Sequence, residues 1–358
     1  MIMFPLWKVL LIIIVCLFGV VLTIPNFLQR ENLSKLPTWM QPVTLGLDLQ
    51  GGSHLLLEVD VKVGLKDQFS SALDTVRSLL RAQKVGYINL RATDTGIFFK
   101  LREPEKKDVV QSVFRREMPD YEVHFDQDRV MLDLTSQARK QKVSTMIRQS
   151  IEIVRRRVDE FGTAEPDIQQ QGEDRILIQL PGVDDPARVR QLLGKTAKLT
   201  YRMVHPQSAQ LVHAGRVPPG YEKLENIDPD DEEKFYLVEK TILLSGENLE
   251  DASIDTDHRT NQPVVSISFD TQGARRFGRV TTEKTGQRLA IVLDDKVISA
   301  PVLTEPILGG RAQISGRFSV KEANDLAILM RSGAMPAPLK VLEERTVGPR
   351  LGAESIEA

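Results

Sequence analysis

Residues 55–80 read LLLEVDVKVGLKDQFSSALDTVRSLL, and residues 130–158 read VMLDLTSQARKQKVSTMIRQSIEIVRRRV. Each stretch opens on a short apolar run and passes into a helical pattern. In the first, Leu65, Phe69, Leu73, Val76 and Leu80 fall at i, i+4, i+8, i+11 and i+15, one apolar face of a helix. In the second, Val143, Ile147, Ile151, Val154 and Val158 repeat that spacing. Downstream of each helix the pattern is strand, turn, strand, helix, strand. The first copy places these at 87–92, 93–96, 97–101, 105–116 and 122–125. The second places them at 167–171, 172–174, 175–180, 186–193 and 198–204. An offset of about 75 to 80 residues is long for a solenoid unit and suits a duplicated domain. With opening strands at 55–59 and 130–134, each copy reads βαββαβ, the ferredoxin-like order. The fold class expected is α+β, a duplicated base whose sheets carry helices on one face.

Composition sets outer bounds. The chain has 358 residues, 41% hydrophobic and 27% charged, which is globular rather than disordered. A net charge of −2 supplies no basic field for nucleic acid. The single cysteine, Cys16, excludes an internal disulfide.

From Met1 to Phe27 the only charge is Lys8. Trp7 to Phe27 supplies the roughly 20 apolar residues of a membrane-spanning helix. Trp7 suits an interface, and Lys8 can snorkel and favours a cytoplasmic N-terminus. A cleaved signal peptide is the competing reading, but no small-x-small site follows the run. A lipoprotein role for Cys16 is opposed by bulky Val15. The organisation expected is an anchor at 1–28, a linker at 29–43, and base copies at 44–126 and 127–242. The second copy carries an exposed acidic loop insertion at 206–233. A third unit, the head, occupies 243–316, 317–346 returns to the base, and 347–358 leads onward. In the third unit, 264–269 reads as a strand and Asp294-Asp295-Lys296 as a hairpin tip. Ser319 caps a helix ended by Gly333.

Signals of chemistry are weak. Gly194-Lys195-Thr196 resembles the end of a phosphate loop, but the required earlier glycine is Val189, so it reads as a helix C-terminus. His54, His124, His205, His213 and His258 lack metal-ligand spacing. Asp294 and Asp295 are adjacent on a turn, not opposed across a cleft. Arg155-Arg156-Arg157 reads as a solvated helix face. No catalytic residue, metal site or cofactor is expected, and the chain does not read as an enzyme.

Four further stretches carry a family resemblance: Leu45–Gly52 (LGLDLQGG), Arg288–Val302 (RLAIVLDDKVISAPV), Met330–Leu339 (MRSGAMPAPL) and Val347–Gly352 (VGPRLG). In this order, behind one apolar segment, they resemble the SecD subunit of the bacterial protein-export machinery. The resemblance implies one transmembrane helix and the first large periplasmic domain, mounted on the inner membrane with a duplicated ferredoxin-like base and a mobile head. It implies work with SecF beside SecYEG, driven by the proton-motive force, on translocating unfolded polypeptide; YidC and YajC are further partners in that expectation. Family members continue into five more transmembrane helices carrying the acidic proton-coupling residue, so this chain is expected to be the N-terminal portion of a longer protein. Gly46, Asp48, Gln50, Gly51 and Gly52 are expected to orient the base. Leu243, Leu244 and Gly316 are expected at the head–base hinge, and Asp294, Pro301, Gly333 and Pro336 in the head and return motifs. The alternative is a membrane-anchored periplasmic scaffold or enzyme that handles no cargo.

Overall fold

The computed structural model describes residues 6–23, 52–161, 166–183, 185–228, 231–257 and 260–347. Helix α1 (Leu6–Thr23) is 18 residues long, about 27 Å at ~1.5 Å per residue. From Trp7 to Phe18 its side chains are exposed. Among the described residues no helix is long and apolar enough to cross a membrane. Gly46, Asp48, Gln50 and Gly51 lie outside the described residues, as does 348–352; Gly52 opens the first strand.

The repeat folds into two four-stranded sheets, but not one per copy. β1 (Gly52–Val59) leads through α2 (Val61–Ala82) to β2 (Tyr87–Ala92), β3 (Gly96–Leu101), α3 (Lys107–Glu117) and β4 (Tyr121–Asp126). β5 (Arg129–Leu134) leads through α4 (Ser136–Asp159) to β6 (Asp167–Gln171), β7 (Arg175–Pro181) and α5 (Pro186–Gly194). One sheet has the order β2-β3-β5-β4. The other has β1 between β7 and the last strand, β17 (Leu339–Val347), with β6 outside β7. The two opening strands have thus changed places, which corrects the expectation of self-contained copies. Each long helix carries the chain from one sheet to the other. The strands can exchange because their patterns match: Leu55, Leu57 and Val59 are buried on one face of β1, and Val130, Leu132 and Leu134 on one face of β5.

The exchange gives the base one shared core. Phe69, Val76 and Leu80 of α2, Phe99 of β3, Phe114 of α3, Ile147 and Val154 of α4 and Ile178 of β7 belong to a single buried cluster. Asp60 caps α2 by accepting from Val63 N at 3.3 Å, and Thr135 caps α4 by accepting from Ala138 N at 3.1 Å. Gly64 lets α2 approach α4, since a Cβ there would lie 2.6 Å from Met146 Sδ.

The chain then leaves the base. β8 (Leu199–Met203), expected to close the second copy, pairs instead with β14 (Leu289–Leu293). The segment 206–228 is not all loop. It contains α6 (Ser208–His213) and β9 (Tyr221–Asn226), followed by β10 (Phe235–Glu239). Only Leu224 of β9 is buried, so its polar composition hid a strand whose worth is in its ladder bonds. With β11 (Leu244–Ser245) and β15 (Lys296–Ser299) the order is β10-β9-β15-β14-β8-β11. Val204 bridges to Val238, and His205 N donates to Leu237 O at 2.8 Å. Those bonds bring the sheet round on itself over a core of Val204, Leu224, Tyr236, Val238, Val292 and Val297.

A second layer packs on this sheet. It holds β12 (Leu249–Thr256), β13 (Pro263–Phe269), α7 (Thr271–Glu283), β16 (Arg311–Ile314) and α8 (Val320–Ser332). Tyr201, Phe269 and Phe277 form an aromatic cluster with ring centroids 4.8–6.2 Å apart, beside Leu326 and Met330 of α8. Leu244 and Gly316 therefore lie within the head, not between head and base, because α8 beyond Gly316 still buries its face in the head core.

Candidate functional site at the junction of two cores

Two segments join the bodies: 194–198 between α5 and β8, and 333–338 between α8 and β17. They meet at one side chain. Arg157, near the end of α4, is 0% exposed, which corrects the solvated reading for this member of the arginine triplet. Its neighbours Arg155 and Arg156 are exposed and pair with Glu152. Arg157 Nη1 donates to Leu192 O at 2.7 Å and to Lys195 O at 2.5 Å. Nη2 donates to Thr196 O at 3.4 Å and Gly333 O at 3.3 Å, and Nε to Ser332 Oγ at 3.2 Å. The guanidinium thus caps α5 and α8 at once, taking carbonyls those helix ends leave without partners. Burial lowers its pKa to about 10, against which the charge of Asp294 acts.

Asp294 is the second pole. It sits with Asp295 at the tip between β14 and β15, both at positive φ (50° and 61°), as a two-residue hairpin turn requires. Its carboxylate accepts from Thr196 Oγ1, from Ala197 N at 3.0 Å and from Lys198 N at 2.8 Å. Thr196 O in turn accepts from Met335 N at 2.8 Å. The half-buried carboxylate thus clamps the first connection to the head. Gly333, at φ 87°, ends α8 in a conformation suited to glycine. Of the expected site residues, the junction gathers Asp294 and Gly333. Pro336 lines the adjacent cleft. Pro301 is exposed at the far end of the hairpin, its carbonyl accepting from Leu289 N at 2.9 Å.

Around this node α8 rests on the base through a small apolar cluster, Leu329 with Leu192 and Ala197, and through charge pairs. Arg188 Nε donates to Asp325 at 2.9 Å, Lys321 reaches Asp185 at 3.3 Å, and Arg331 reaches Glu160 at 2.8 Å. These pairs are partly exposed, so each is worth at most about 1 kcal/mol. A cleft of about 670 Å³ opens beside them, between α4 and the head, with Arg148, Glu152, Arg156, Lys198, Ile242 and Met335 among its lining. Among the described residues no group of three or more His, Cys, Asp or Glu could hold a metal ion.

Sequence reasoning missed Arg157, although a signal existed. Met146, Ser150 and Arg157 are buried and follow one another at 4 and 7 residues, a second stripe beside the apolar one.

Comparisons with known proteins identify the family. Residues 39–63 match the SecD/SecF GG motif, 147–206 the N-terminal part of the P1 domain of protein translocase subunit SecDF, and 222–337 the SecDF P1 head subdomain. Protein translocase subunit SecD of Rickettsia felis is 40% identical over 99% of this chain and 68% of its own length. That of Magnetococcus marinus is 40% identical over 98% of this chain and 68% of its own. A crystal structure of SecDF in a super-membrane-facing form aligns with TM-score 0.51 and 29% identity, over 88% of this chain and 32% of the solved one. Identity of 40% over 99% of this chain and 68% of the relative's length, with three family models matched along it, places the chain in the SecD family of protein translocase subunits.

Proposed function

We propose that the chain is the anchored, extracytoplasmic part of a Sec translocase subunit whose head moves against its base while handling emerging polypeptide. The observation that carries this reading is that two large hydrophobic cores are linked along the chain by two short connections, 194–198 and 333–338, and meet through only a small buried cluster of Leu192, Ala197 and Leu329. A body with its own core can rotate as a unit when few backbone segments must absorb the change. The hinge belongs to those segments rather than to Leu243, Leu244 and Gly316. Each base sheet is a ferredoxin-like unit completed by a strand from the other copy. The apolar 1–28 region mounts the base on the inner membrane, N-terminus in the cytoplasm, and Gly46 to Gly52 orient it. SecF, SecYEG, YidC and YajC are the partners this reading assigns, and proton-motive force the energy source. An unfolded chain is held by apolar contact or by strand addition, with no catalytic chemistry.

The test is a lock across the junction. Lys321 and Asp185 lie 3.3 Å apart at their charged ends, on head and base. A bifunctional crosslink between cysteines at these positions, in cells, should stop export of a secreted precursor while membrane assembly continues. Unimpaired export by the locked protein would remove the moving head from the mechanism.

A further inference from the structure

We infer that Arg157 is a latch that gives the head one preferred seat on the base, releasing it only when a defined set of hydrogen bonds breaks together. This rests on the head being the moving body, and it goes further in assigning the seat to a single side chain. The bonds divide by origin. Leu192 belongs to α5 and stays with the base. Lys195 and Thr196 belong to the first connection, Gly333 to the second, and Ser332 ends α8 of the head. Any rotation about those connections must draw their acceptors away from the guanidinium, while α4 and α5 keep it in place.

The alternative seats are poor ones. Arg157 is fully buried, and a buried cation stripped of part of its hydrogen bonds carries a large desolvation penalty. Asp294 moves with the head and is the countercharge, so rotation takes away the balancing carboxylate as well. Both losses fall on the same step. The exposed ion pairs of α8 cannot act in this way, because water replaces their partners as they part. A lysine could not replace the arginine: its single ammonium lacks the planar fork that reaches acceptors on both sides. The latch therefore makes head position a two-state variable instead of a continuous one.

The experiment measures head–base distances in the full chain with Cys16→Ser. Spin labels are placed at Ser112→Cys on α3 and Glu283→Cys on α7, both exposed. A second pair, Ser112→Cys with Gln170→Cys, reports the base alone. The wild-type latch is expected to give one narrow head–base distance. Arg157→Gln and Arg157→Lys should raise the population of other distances by about tenfold or more, the change that follows from losing one charged hydrogen bond. The base pair should stay unchanged. Unaltered head–base distances in both variants would overturn the latch. Loss of the base distance in both would make Arg157 a residue of base stability and overturn it equally. Export is scored separately: broadened distances with normal export would leave the latch standing and defeat the moving-head function.

Discussion

If β1 lies between β7 and β17, a disulfide can be drawn across the exchange. Leu56 of β1 is directly opposite Leu177 of β7, and both are on the less buried faces of their strands. Opposed residues of an antiparallel pair have Cα atoms about 4.5–5.5 Å apart, within the range a disulfide accepts. The perturbation is Leu56→Cys with Leu177→Cys in a Cys16→Ser background. Its bridge closes a loop of about 120 residues, for which the chain-entropy treatment gives about 4–5 kcal/mol. Strain and residual structure in the unfolded chain reduce such values, and about 3 kcal/mol is a fair working figure. For a body of this size that is roughly 6–12 °C in Tm. The assay is thermal unfolding of the oxidised protein against the same protein after reduction, which cancels the loss of the two leucines. The control pairs Leu56→Cys with Phe98→Cys of β3, the neighbour β1 would have in a self-contained copy. Phe98 is opposite Met131 of β5 in the structure. Ready bridging of 56 to 98, or no bridging of 56 to 177, would refute the exchanged sheets.

Three further outcomes follow from particular contacts. Gly96→Ala would put its Cβ on the Leu132 carbonyl oxygen of β5, a backbone neighbour that cannot turn aside; a stability loss of about 1–3 kcal/mol or more is expected in urea unfolding. Ser208→Ala removes the buried hydroxyl that accepts from Leu237 N at 2.8 Å, which should cost about 1–3 kcal/mol and raise hydrogen exchange at Leu237 first. Lys340 Nζ, 2.6 Å from Asp60, together with the Val63 amide, holds the Asp60 carboxyl below its ordinary value of 3.8. A depressed carboxylate stabilises the fold above that ordinary value and loses its contribution as pH falls through the folded value. Asp60→Asn removes the charge that Lys340 pairs with, so it should lower the melting temperature at neutral pH and flatten the acid limb, the difference from wild type vanishing as pH falls through the folded value.

Much of the base was legible because its elements announce themselves by period. The stripe Leu65, Phe69, Val76, Leu80 is buried as its spacing requires, and so are Ile147, Val154 and Val158. Pairing was not legible, because β1 and β5 carry the same alternation and either satisfies either slot. The choice is made by where α2 and α4 lead, which is a property of the whole body. The head was harder. β9 reads YEKLEN, and nothing in six residues with one buried apolar side chain distinguishes a strand from a loop. Of the junction, Asp294 and Gly333 were singled out from family likeness. What they do required seeing Thr196 and Arg157 brought to them from more than 90 residues away in the chain.

The exchanged strands have a consequence for biosynthesis. β1 needs β17 on one side and β7 on the other, and these are made far apart in time. At about 5–20 residues per second, the nascent chain grows for roughly 15–60 s between the first of these strands and the last. Helix formation takes about a microsecond, so α2 is ready long before its sheet can be. Once β7 has been made one edge of β1 can pair, but its other edge stays bare until β17 appears, an aggregation-prone state. The sheet can therefore be completed only after residue 347 has been made, which ties the folding of the first strand to the last one synthesised.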